Sequence, residues 1–589
     1  MAESKLFKME YAFVILIIYF ILFLLKINHL NLPYYWDDIY PYVSASIYSA
    51  THGLTPLLYG IDASHPPLFP MTLASFFLTF GIKSTVARIM MIIFAGLSVF
   101  LTYVIGRKFF NQTTGIISSL LLISTPLFLS QSSIPQITVL ETTLFLVTFY
   151  FFLSKRYVFF SISCSLLLLT KEIFIFVPFL SLFMFIHTSR FDIKKIFLIL
   201  SPFFIFLLWM LSNKYIYGWF LAPYSAGIIH SSPLYILANF LLISKYLFFD
   251  DFRWILSFIV IILPAIDIKK LMYSINFKKI LKALAIFLSL FSIFYLFSLI
   301  FNKYFSVIFK NFSIYLLEFD RFKLLFSLSL TIILLSFKKV FSFWTNKKYL
   351  TIILFIFSGI VLLSFFPWLP RYSLFIIPLY LILSANILSK TISNKYLLIS
   401  LVLVLIFFSV YSLNGNRENI GFWLENNYEF LDYIKVRQEA SDYLVDKHLG
   451  KSILASYPEF FDLSYIWVGY IDIEKPFRLE GINYYEFSEI GRSIFQEPFG
   501  TDFNDRRVTR TINDENNYEI IYINKSAIDW NNIDLVYYSP QSYNLFFSSL
   551  EELKTERNLD IKLLKKFSSN GKYVEIYEVE QNNNHSKSL

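Results

Sequence analysis

The chain of 589 residues is 56% hydrophobic and only 16% charged, with a mean hydropathy of +0.58. This composition lies far outside that of soluble domains and indicates a polytopic membrane protein. The net charge of +9 does not indicate nucleic-acid binding, because the Lys and Arg residues form short clusters between apolar runs instead of one basic face. The single cysteine, Cys164, excludes a disulfide framework and a Cys-based metal site.

The apolar runs predict about 13 transmembrane helices, since a span needs roughly 20 apolar residues to cross the hydrocarbon core. The first run has no small-residue cleavage site after it, which favours a retained helix over a removed signal peptide. The predicted spans are residues 11–30, 85–106, 113–131, 137–154, 157–170, 172–188, 196–213, 252–267, 281–301, 322–337, 349–366, 372–389 and 396–413.

The positive charges predict which loops face the cytoplasm. With the N-terminus inside, every second loop is basic, whereas the loop from Asn31 to Ser84 carries only Lys83. The predicted inside positions are Lys5 and Lys8, Arg107 and Lys108, Lys155 and Arg156, Arg190 with Lys194 and Lys195, Lys269 to Lys279, Lys338 to Lys348, and Lys390 with Lys395. We therefore expect a multi-pass protein of the plasma membrane with a cytoplasmic N-terminus.

The composition changes near Gly415, where long apolar runs stop. Residues 1–414 are predicted to form the transmembrane domain, and residues 415–589 a soluble extracytoplasmic domain of α/β or α+β type. A helix is expected over 428–448 and strands over 452–455 and 534–538. Asn570-Gly571 predicts a turn between a helix-like run and a final alternating strand.

The first outside loop, residues 31–84, holds the main candidates for chemistry. Its sequence YYWDDIYPY places Asp37 and Asp38 side by side with no Lys or Arg within eight residues. The same loop contains His65 in DASHPPLFP, where two prolines restrict the backbone. Each acid could also be an interfacial helix cap among belt aromatics, and His65 could be a packed loop histidine.

Four more charged residues are predicted on the same side of the membrane. They are Arg88, Glu141, Lys171 (followed by Glu172) and Arg371. The two arginines could be simple interfacial charges, and Lys171-Glu172 could be a local ion pair. Glu141 is harder to explain structurally, because an ionisable group within a span costs about 2.5 to 3.5 kcal/mol at its centre and usually faces a cavity. Acids and bases thus converge on one face.

The order of these motifs resembles a known group of enzymes. DD after the first span, HPPL, the Arg in VARIMMIIFAGLSVFLTYVIGRKFF, LETTLF, TKEIFIFVP and LPRYSLFIIPLY occur in that order over residues 10 to 415. Together they resemble the polytopic glycosyltransferases of the GT-C fold, and more narrowly the branch of dolichyl-phosphate-mannose protein mannosyltransferases and bacterial aminoarabinose transferases.

The resemblance implies a GT-C type membrane protein that transfers a sugar from a polyprenyl (dolichyl or undecaprenyl) phosphate to an acceptor on the outer face. It implies that Asp37 is the base or acceptor-binding acid, supported by Asp38 and Glu141. It further implies that His65, Arg88, Lys171 and Arg371 bind the carrier phosphate or the sugar. Ser64-His65 departs from the Glu-Lys pair of the aminoarabinose transferases, so their metal site does not carry over directly.

General chemistry agrees with this scheme. A hydroxyl is a poor nucleophile, and a positioned carboxylate base contributes roughly 10² to 10⁴ in rate. The departing phosphate needs a cation, either a basic side chain or a metal. The metal requirement stays open; if a divalent ion is present, Asp37, Asp38 and Glu141 are its expected ligands. We expect direct displacement with inversion, a protein hydroxyl as acceptor, and no nucleic-acid partner.

Two alternatives stay open at this point. The same chemistry could act on a lipid or glycan instead of a protein. A membrane transporter is the alternative of another class, although transporters usually keep ionisable groups near the bilayer midplane, and the predicted spans are nearly free of charge.

Overall fold

The computed structural model describes residues 2–53, 65–188, 191–217, 220–221, 232–265, 347–367, 369–414, 421–456, 458–473, 476–480, 494–495, 508–512, 518–522, 532–541, 550–556 and 559–580. Up to residue 414 these residues are almost wholly helical. The helices are α1 (Ala2–Lys26), α2 (Ser44–His52), α3 (Leu68–Phe80), α4 (Ser84–Phe109), α5 (Gln112–Ser124), α6 (Pro126–Gln131), α7 (Ile137–Leu153), α8 (Tyr157–Leu168), α9 (Phe176–Thr188), α10 (Ile193–Tyr217), α11 (Pro233–Phe249), α12 (Arg253–Ala265), α13 (Lys347–Leu363), α14 (Ile377–Thr391) and α15 (Lys395–Tyr411).

The predicted spans within the described residues coincide with helices, but the number 13 is not confirmed. Among these residues, Met9–His29, Ser84–Phe109 and Ile193–Tyr215 are long and apolar enough to cross a membrane. Pro233–Phe249 and Arg253–Val260, bent by 89° at their junction, pass the same criterion as a pair, and several further apolar helices are shorter. The predicted spans 281–301 and 322–337 lie outside the described residues.

Two parts of the transmembrane prediction need correction. The first outside loop contains helices α2 and α3: SASIYSATH carries no Pro or Gly, and the one proline of LFPMTLASFFLTF, Pro70, lies in the first helical turn, where its missing N–H interrupts no hydrogen bond of the helix. Helix α11 was not predicted as a separate element; it begins at Pro233, which favours the first helical position.

Basic residues of three predicted inside loops meet at one end of the helix bundle. Arg107 pairs with Glu10 at 2.5 Å. Lys348 donates to the carbonyl of Phe109 at 2.9 Å, and Lys390 donates to the hydroxyl of Tyr349 at 2.9 Å. The candidate acids and bases take no part in these contacts, and which end faces the cytoplasm stays a prediction from the charge pattern.

The last part of the chain forms a mixed sheet with helix α16 (Glu429–Lys447) packed on it. The described strands are β1 (Ser452–Ala455), β2 (Arg478–Glu480), β3 (Ile494–Phe495), β4 (Val508–Ile512), β5 (Tyr518–Tyr522), β6 (Leu535–Tyr538), β7 (Asp560–Ser569) and β8 (Lys572–Glu580), and two short helices are α17 (Glu459–Ser464) and α18 (Leu550–Glu556). The order is β2-β1-β6-β8-β7, parallel at β2-β1-β6 and antiparallel at β6-β8-β7, and β3-β4-β5 form a small antiparallel sheet.

The run before Asn570 was predicted to be helix-like, and this is wrong: it is strand β7. Asn570 and Gly571 have φ values of +45° and +79°. Positive φ at both positions is the geometry of a two-residue hairpin turn, which joins antiparallel strands. The expected helix near 428–448 and the expected strands near 452–455 and 534–538 are present.

The sheet domain packs directly on the segment that carries the two adjacent acids. The amide of Tyr34 donates to the carbonyl of Val468 at 2.9 Å. The Tyr35 ring lies 5.8 Å from the ring of Phe430, and the Arg437 guanidinium lies 6.0 Å from the Tyr35 ring centre. The acidic segment is therefore enclosed between the helix bundle and the sheet domain.

Candidate active site

Asp37 and Asp38 lie in a single 3-10 turn, Trp36–Asp38. The turn follows Trp36, whose φ of +48° is unusual for a bulky residue, and the amide of Asp38 donates to the carbonyl of Tyr35 at 3.0 Å. Neighbouring residues of such a turn point in different directions. The Asp37 side chain is 21% exposed, whereas Asp38 is fully buried. Only Asp37 of the pair is thus accessible to a substrate.

Arg371 pairs with Asp37 through Nη2. Arg371 lies in the 3-10 turn Pro370–Ser373 and is almost completely buried. Its other terminal nitrogen, Nη1, donates to Glu425 Oε2. Burial lowers the pKa of Arg371, but the carboxylates of Glu425 and Asp37 raise it more, so that the pKa is well above its usual value. The guanidinium therefore stays charged and joins two acids from distant segments.

Glu425 was not among the predicted site residues. It follows the last helix of the bundle in the turn Gly421–Asn426 and is fully buried. Its Oε1 accepts a hydrogen bond from Gln136 Nε2 at 3.0 Å, and its backbone carbonyl accepts from Gln131 Nε2 at 3.4 Å and from Ser130 Oγ. Burial raises the pKa of the Glu425 carboxyl to about 6, against the opposing effect of Arg371.

A sequence signal for Glu425 exists. The stretch GFWLENNY sets one acid among aromatic residues just beyond an apolar run, as YYWDDIYPY does after the first span. The change of composition at Gly415 hid it, because the residues beyond that point were assigned to a separate domain.

Lys171 and Glu141 form a second charged pair next to Arg371. Glu141 lies in α7 and is 1% exposed, and its Oε2 is 4.0 Å from Lys171 Nζ. Lys171 Nζ also lies 3.9 Å from the ring centre of Tyr372, the residue after Arg371. Lys171 comes directly before the turn Glu172–Ile175 that leads into α9. Tyr372 therefore connects this pair to the Arg371 cluster.

His65 is placed at the same cluster by Glu172. Its Nδ1 is 3.4 Å from Glu172 Oε2, and both side chains are partly exposed, 21% and 17%. The positive charge of a protonated His65 also opposes the rise of the Asp37 pKa that burial causes. His65 thus lies close enough to Asp37 for their charges to interact.

Arg88 does not face this cleft. It is fully buried in α4 and donates to the backbone carbonyls of Leu32, Pro33 and Ser133, at 3.1, 2.5 and 2.7 Å. Its described contacts hold the backbone before the acidic turn against the segment after α6. The geometry is that of a positioning residue, which differs from the predicted role in substrate binding.

Asp38 does not share a site with the other acids. Both of its carboxyl oxygens are buried without a hydrogen-bond partner among the described residues. Burial raises the pKa of Asp38 well above its usual value, more than the nearby charge of Arg88 lowers it. This environment favours the neutral acid.

The described residues contain no group of three His, Cys, Asp or Glu side chains close enough to hold a metal ion. Asp37 instead contacts Arg371, Glu141 contacts Lys171, and Asp38 is buried apart. Asp37, Asp38 and Glu141 therefore do not form the joint cation site expected if a metal were present.

The cleft thus combines one partly exposed carboxylate, Asp37, with an arginine, a lysine and a histidine. A carboxylate can take a proton from a hydroxyl group, and the cations can stabilise negative charge on an oxyanion such as a phosphate. The site is equipped for transfer of a group from a phosphate to a hydroxyl.

Residues 64–216 match the family model described as dolichyl-phosphate-mannose-protein mannosyltransferase. This matched segment includes His65, Arg88, Glu141 and Lys171. The match confirms the resemblance to these glycosyltransferases that the motif order indicated. No curated protein sequence matches the chain.

Three solved structures are similar over nearly the whole chain. ArnT from Cupriavidus metallidurans in the apo state has 10% identity and a TM-score of 0.47, covering 98% of both chains. The same protein bound to undecaprenyl phosphate has 11% identity and a TM-score of 0.47, covering 97% of this chain and 98% of that one. Archaeal oligosaccharyltransferase AglB from Archaeoglobus fulgidus, in complex with an inhibitory peptide and a dolichol-phosphate, has 12% identity and a TM-score of 0.43, covering 98% of this chain and 75% of that one.

Proposed function

The chain is related to the dolichyl-phosphate-mannose-protein mannosyltransferases, a family of membrane glycosyltransferases, and from this premise we propose its reaction. It transfers a sugar from a polyprenyl phosphate to a hydroxyl group of a protein on the outer face of the membrane. The observation that carries the proposal is the partly exposed Asp37 carboxylate beside the buried guanidinium of Arg371.

In the proposed reaction Asp37 removes the proton of the acceptor hydroxyl. The oxygen attacks the anomeric carbon, and the bond between that carbon and the phosphate oxygen breaks, with the electron pair leaving on the phosphate. A single displacement of this kind inverts the anomeric configuration. Arg371, Lys171 and His65 supply positive charge where the phosphate develops negative charge. Glu141 keeps Lys171 in place across a distance of 4.0 Å.

The remaining predicted residues take supporting roles in this proposal. Arg88 positions the backbone before the acidic turn through its carbonyl contacts. Asp38, buried next to Asp37, supports the turn as a neutral acid. Residues 1–414 carry the reaction, with Glu425 added from the segment beyond them, and the sheet domain lies on the extracytoplasmic side with the cytoplasmic N-terminus opposite.

The test is sugar transfer by the purified full chain in lipid, with a radiolabelled polyprenyl-phosphate sugar as donor. We expect the Asp37→Asn variant to lose about 10² to 10⁴ of the rate, the usual contribution of a positioned base. Asp192→Asn is the matched control, because Asp192 is a partly exposed acid that is paired with Lys195 at 2.7 Å and has no described contact with Asp37 or Arg371. Full transfer by a correctly inserted Asp37→Asn protein would refute the role of Asp37.

The same assay separates the alternatives. Partition of the labelled product among protein, lipid and glycan fractions identifies the acceptor class. Label in the lipid or glycan fraction, and none in protein, would show that the acceptor is a lipid or a glycan and would contradict the proposed protein acceptor. Movement of the intact donor across the membrane without release of the sugar would support a transporter instead.

A further inference from the structure

Arg371 is shared by the acid proposed as base and by an acid outside the predicted site. Asp37 contacts Nη2, and Glu425 contacts Nη1. In the proposed reaction the same arginine also faces the carrier phosphate. Both terminal nitrogens of the guanidinium thus already contact a carboxylate, and a phosphate that approaches either nitrogen competes with the acid bound there.

The two carboxylates are held very differently. Glu425 is fully buried; Gln136 donates a hydrogen bond to its carboxylate, and Gln131 and Ser130 donate to its backbone carbonyl. Asp37 is 21% exposed and lies in a turn at the edge of the cleft. An anion that enters the cleft can replace Asp37 at Arg371 far more easily than it can replace Glu425.

A base that is paired with arginine is also a poor base. An ion pair stabilises the carboxylate and so lowers its affinity for a proton. Asp37 can accept the proton of the acceptor hydroxyl effectively only when Arg371 no longer neutralises it.

We propose that Arg371 exchanges partners during the reaction: the phosphate of the polyprenyl carrier replaces Asp37 at Nη2, while Glu425 keeps Nη1. Asp37 is then released as a base only when the donor is bound. Glu425 is a positioning residue that prevents the guanidinium from following Asp37. This inference rests on the proposed function, because it takes the carrier phosphate as the entering anion.

The exchange gives the enzyme a fixed order of events. Without donor, Asp37 is neutralised by Arg371 and does not activate an acceptor hydroxyl or water. With donor, the phosphate is held by Arg371 and Asp37 is available, so the proton moves to Asp37 as the sugar leaves the phosphate. The negative charge of the phosphate is thus met by Arg371, and the proton of the hydroxyl group moves to Asp37.

The test measures the dissociation constant of undecaprenyl phosphate, without sugar, for the full chain in detergent or nanodiscs. If Asp37 competes with the phosphate, Asp37→Asn binds the carrier about twofold to fivefold more tightly, the range expected from loss of one partly exposed ion pair. Glu425→Gln binds it no more tightly than the wild type, because Arg371 then pairs with Asp37 alone. Its kcat for transfer falls, because Asp37 stays paired.

Asp192→Asn is the matched control for Asp37→Asn. It is the same substitution at another partly exposed acid that is paired with a base, Lys195 at 2.7 Å, and it should leave the dissociation constant unchanged. Equal tightening by Asp37→Asn and Glu425→Gln would mean that only the overall charge matters, and it would overturn the exchange. Unchanged or weaker carrier binding by Asp37→Asn would overturn it as well.

These outcomes are distinct from failure of the proposed function. If the wild-type chain neither binds undecaprenyl phosphate nor transfers a sugar from it, the function itself fails. If it does both but the variants show no difference in carrier affinity, only the exchange fails.

Discussion

At the residue scale, two neighbouring acids of the same type have different environments. The Asp37 side chain is partly exposed and forms an ion pair with Arg371. Asp38 is buried and has no hydrogen-bond partner among the described residues. The sequence could rank Asp37 first only through the family resemblance, since composition and spacing treat both alike. The stretch GFWLENNY marks Glu425 as an acid among aromatic residues, but it does not reveal the contact of Glu425 with Arg371, which joins residues 54 positions apart through the tertiary fold.

The pH dependence of transfer should depend on Glu425. Because burial raises its pKa to about 6, Glu425 is charged above that pH and neutral below it. As the pH falls through about 6, Glu425 loses its charge and Arg371 loses its buried anchor. Burial also raises the pKa of Asp37, so that both acids take up protons as the pH falls. We expect kcat to fall on the acid side of pH 6.

The measurement is kcat between about pH 5 and 8 for the wild type and for Glu425→Gln, with Glu459→Gln as control. Glu459 is as buried as Glu425 but accepts from the Tyr433 hydroxyl at 2.5 Å in the sheet domain. His65 and Lys171 also face this cleft and remain in all three proteins. Glu425→Gln should change the decrease of kcat below about pH 6. Identical pH profiles of kcat for Glu425→Gln and the wild type would exclude Glu425 as the cause of that decrease.

Arg88→Lys tests whether Arg88 binds substrate or positions the backbone. A lysine cannot reproduce the contacts of Arg88 with the carbonyls of Leu32, Pro33 and Ser133. We expect the unfolding free energy to fall by about 1 to 3 kcal/mol, the cost of unsatisfied buried polar groups. The carrier dissociation constant should stay nearly unchanged. Weaker carrier binding with unchanged thermal stability would show instead that Arg88 binds the substrate.

At the element scale, the apolar runs predicted the positions of the described spans well, because a helix that faces lipid must be long and apolar. The wrong predictions concern elements whose structure does not depend on the length of an apolar run. Helices α2 and α3 were taken as loop, and β7 was taken as helix-like because DIKLLKKF places apolar residues at spacings that fit either structure. The two positive φ values at Asn570-Gly571 decide for the hairpin.

Helices α4 and α5 approach each other through glycine, and this contact predicts a stability effect. A Cβ atom on Gly115 would lie 2.6 Å from the carbonyl oxygen of Tyr103 and 3.0 Å from the amide of Arg107. Both neighbours are backbone atoms that cannot rotate away. We expect Gly115→Val to lower the unfolding free energy by about 1 to 3 kcal/mol through overpacking.

Thermal unfolding in detergent measures this effect. Ile116→Val is the control, because Ile116 is the next residue and its side chain is 43% exposed. Equal unfolding temperatures for Gly115→Val and the wild type would show that the two helices separate without cost.

At the scale of the whole molecule, the helix bundle and the sheet domain build the cleft together. The boundary predicted at Gly415 marks the change of composition, but Glu425 from beyond it contacts Arg371. Val468 and Gly469 of the sheet domain contact the backbone of Tyr34 and Pro33. Amino-acid composition identifies which segments face lipid and which face water. It carries no information on contacts between the helix bundle and the sheet domain.

Gly469→Ala should lower kcat through this contact. Gly469 has φ of +97°, and an added Cβ atom would lie 3.2 Å from Pro33 Cα, four residues before Asp37. Gly450→Ala is the matched control: Gly450 has φ of +77°, but an added Cβ atom would have no neighbour within 4 Å. Both variants carry backbone strain of about 1 to 2 kcal/mol, and only Gly469→Ala displaces the acidic segment. Equal kcat values for the two variants would show that the sheet domain does not position Asp37.

The pairing of Asp37 with Arg371 also has a consequence for synthesis of the protein. The two residues are 334 positions apart, so at 5 to 20 residues per second the ribosome makes Arg371 roughly 17 to 67 seconds after Asp37. Glu425 follows 54 positions later still. During that interval the nascent chain carries Asp37 at the membrane without this counter-charge. A message truncated before the codon for Arg371 would therefore yield a protein that lacks one of the three cations proposed for the phosphate, and under the proposed function we expect such a fragment not to transfer sugar.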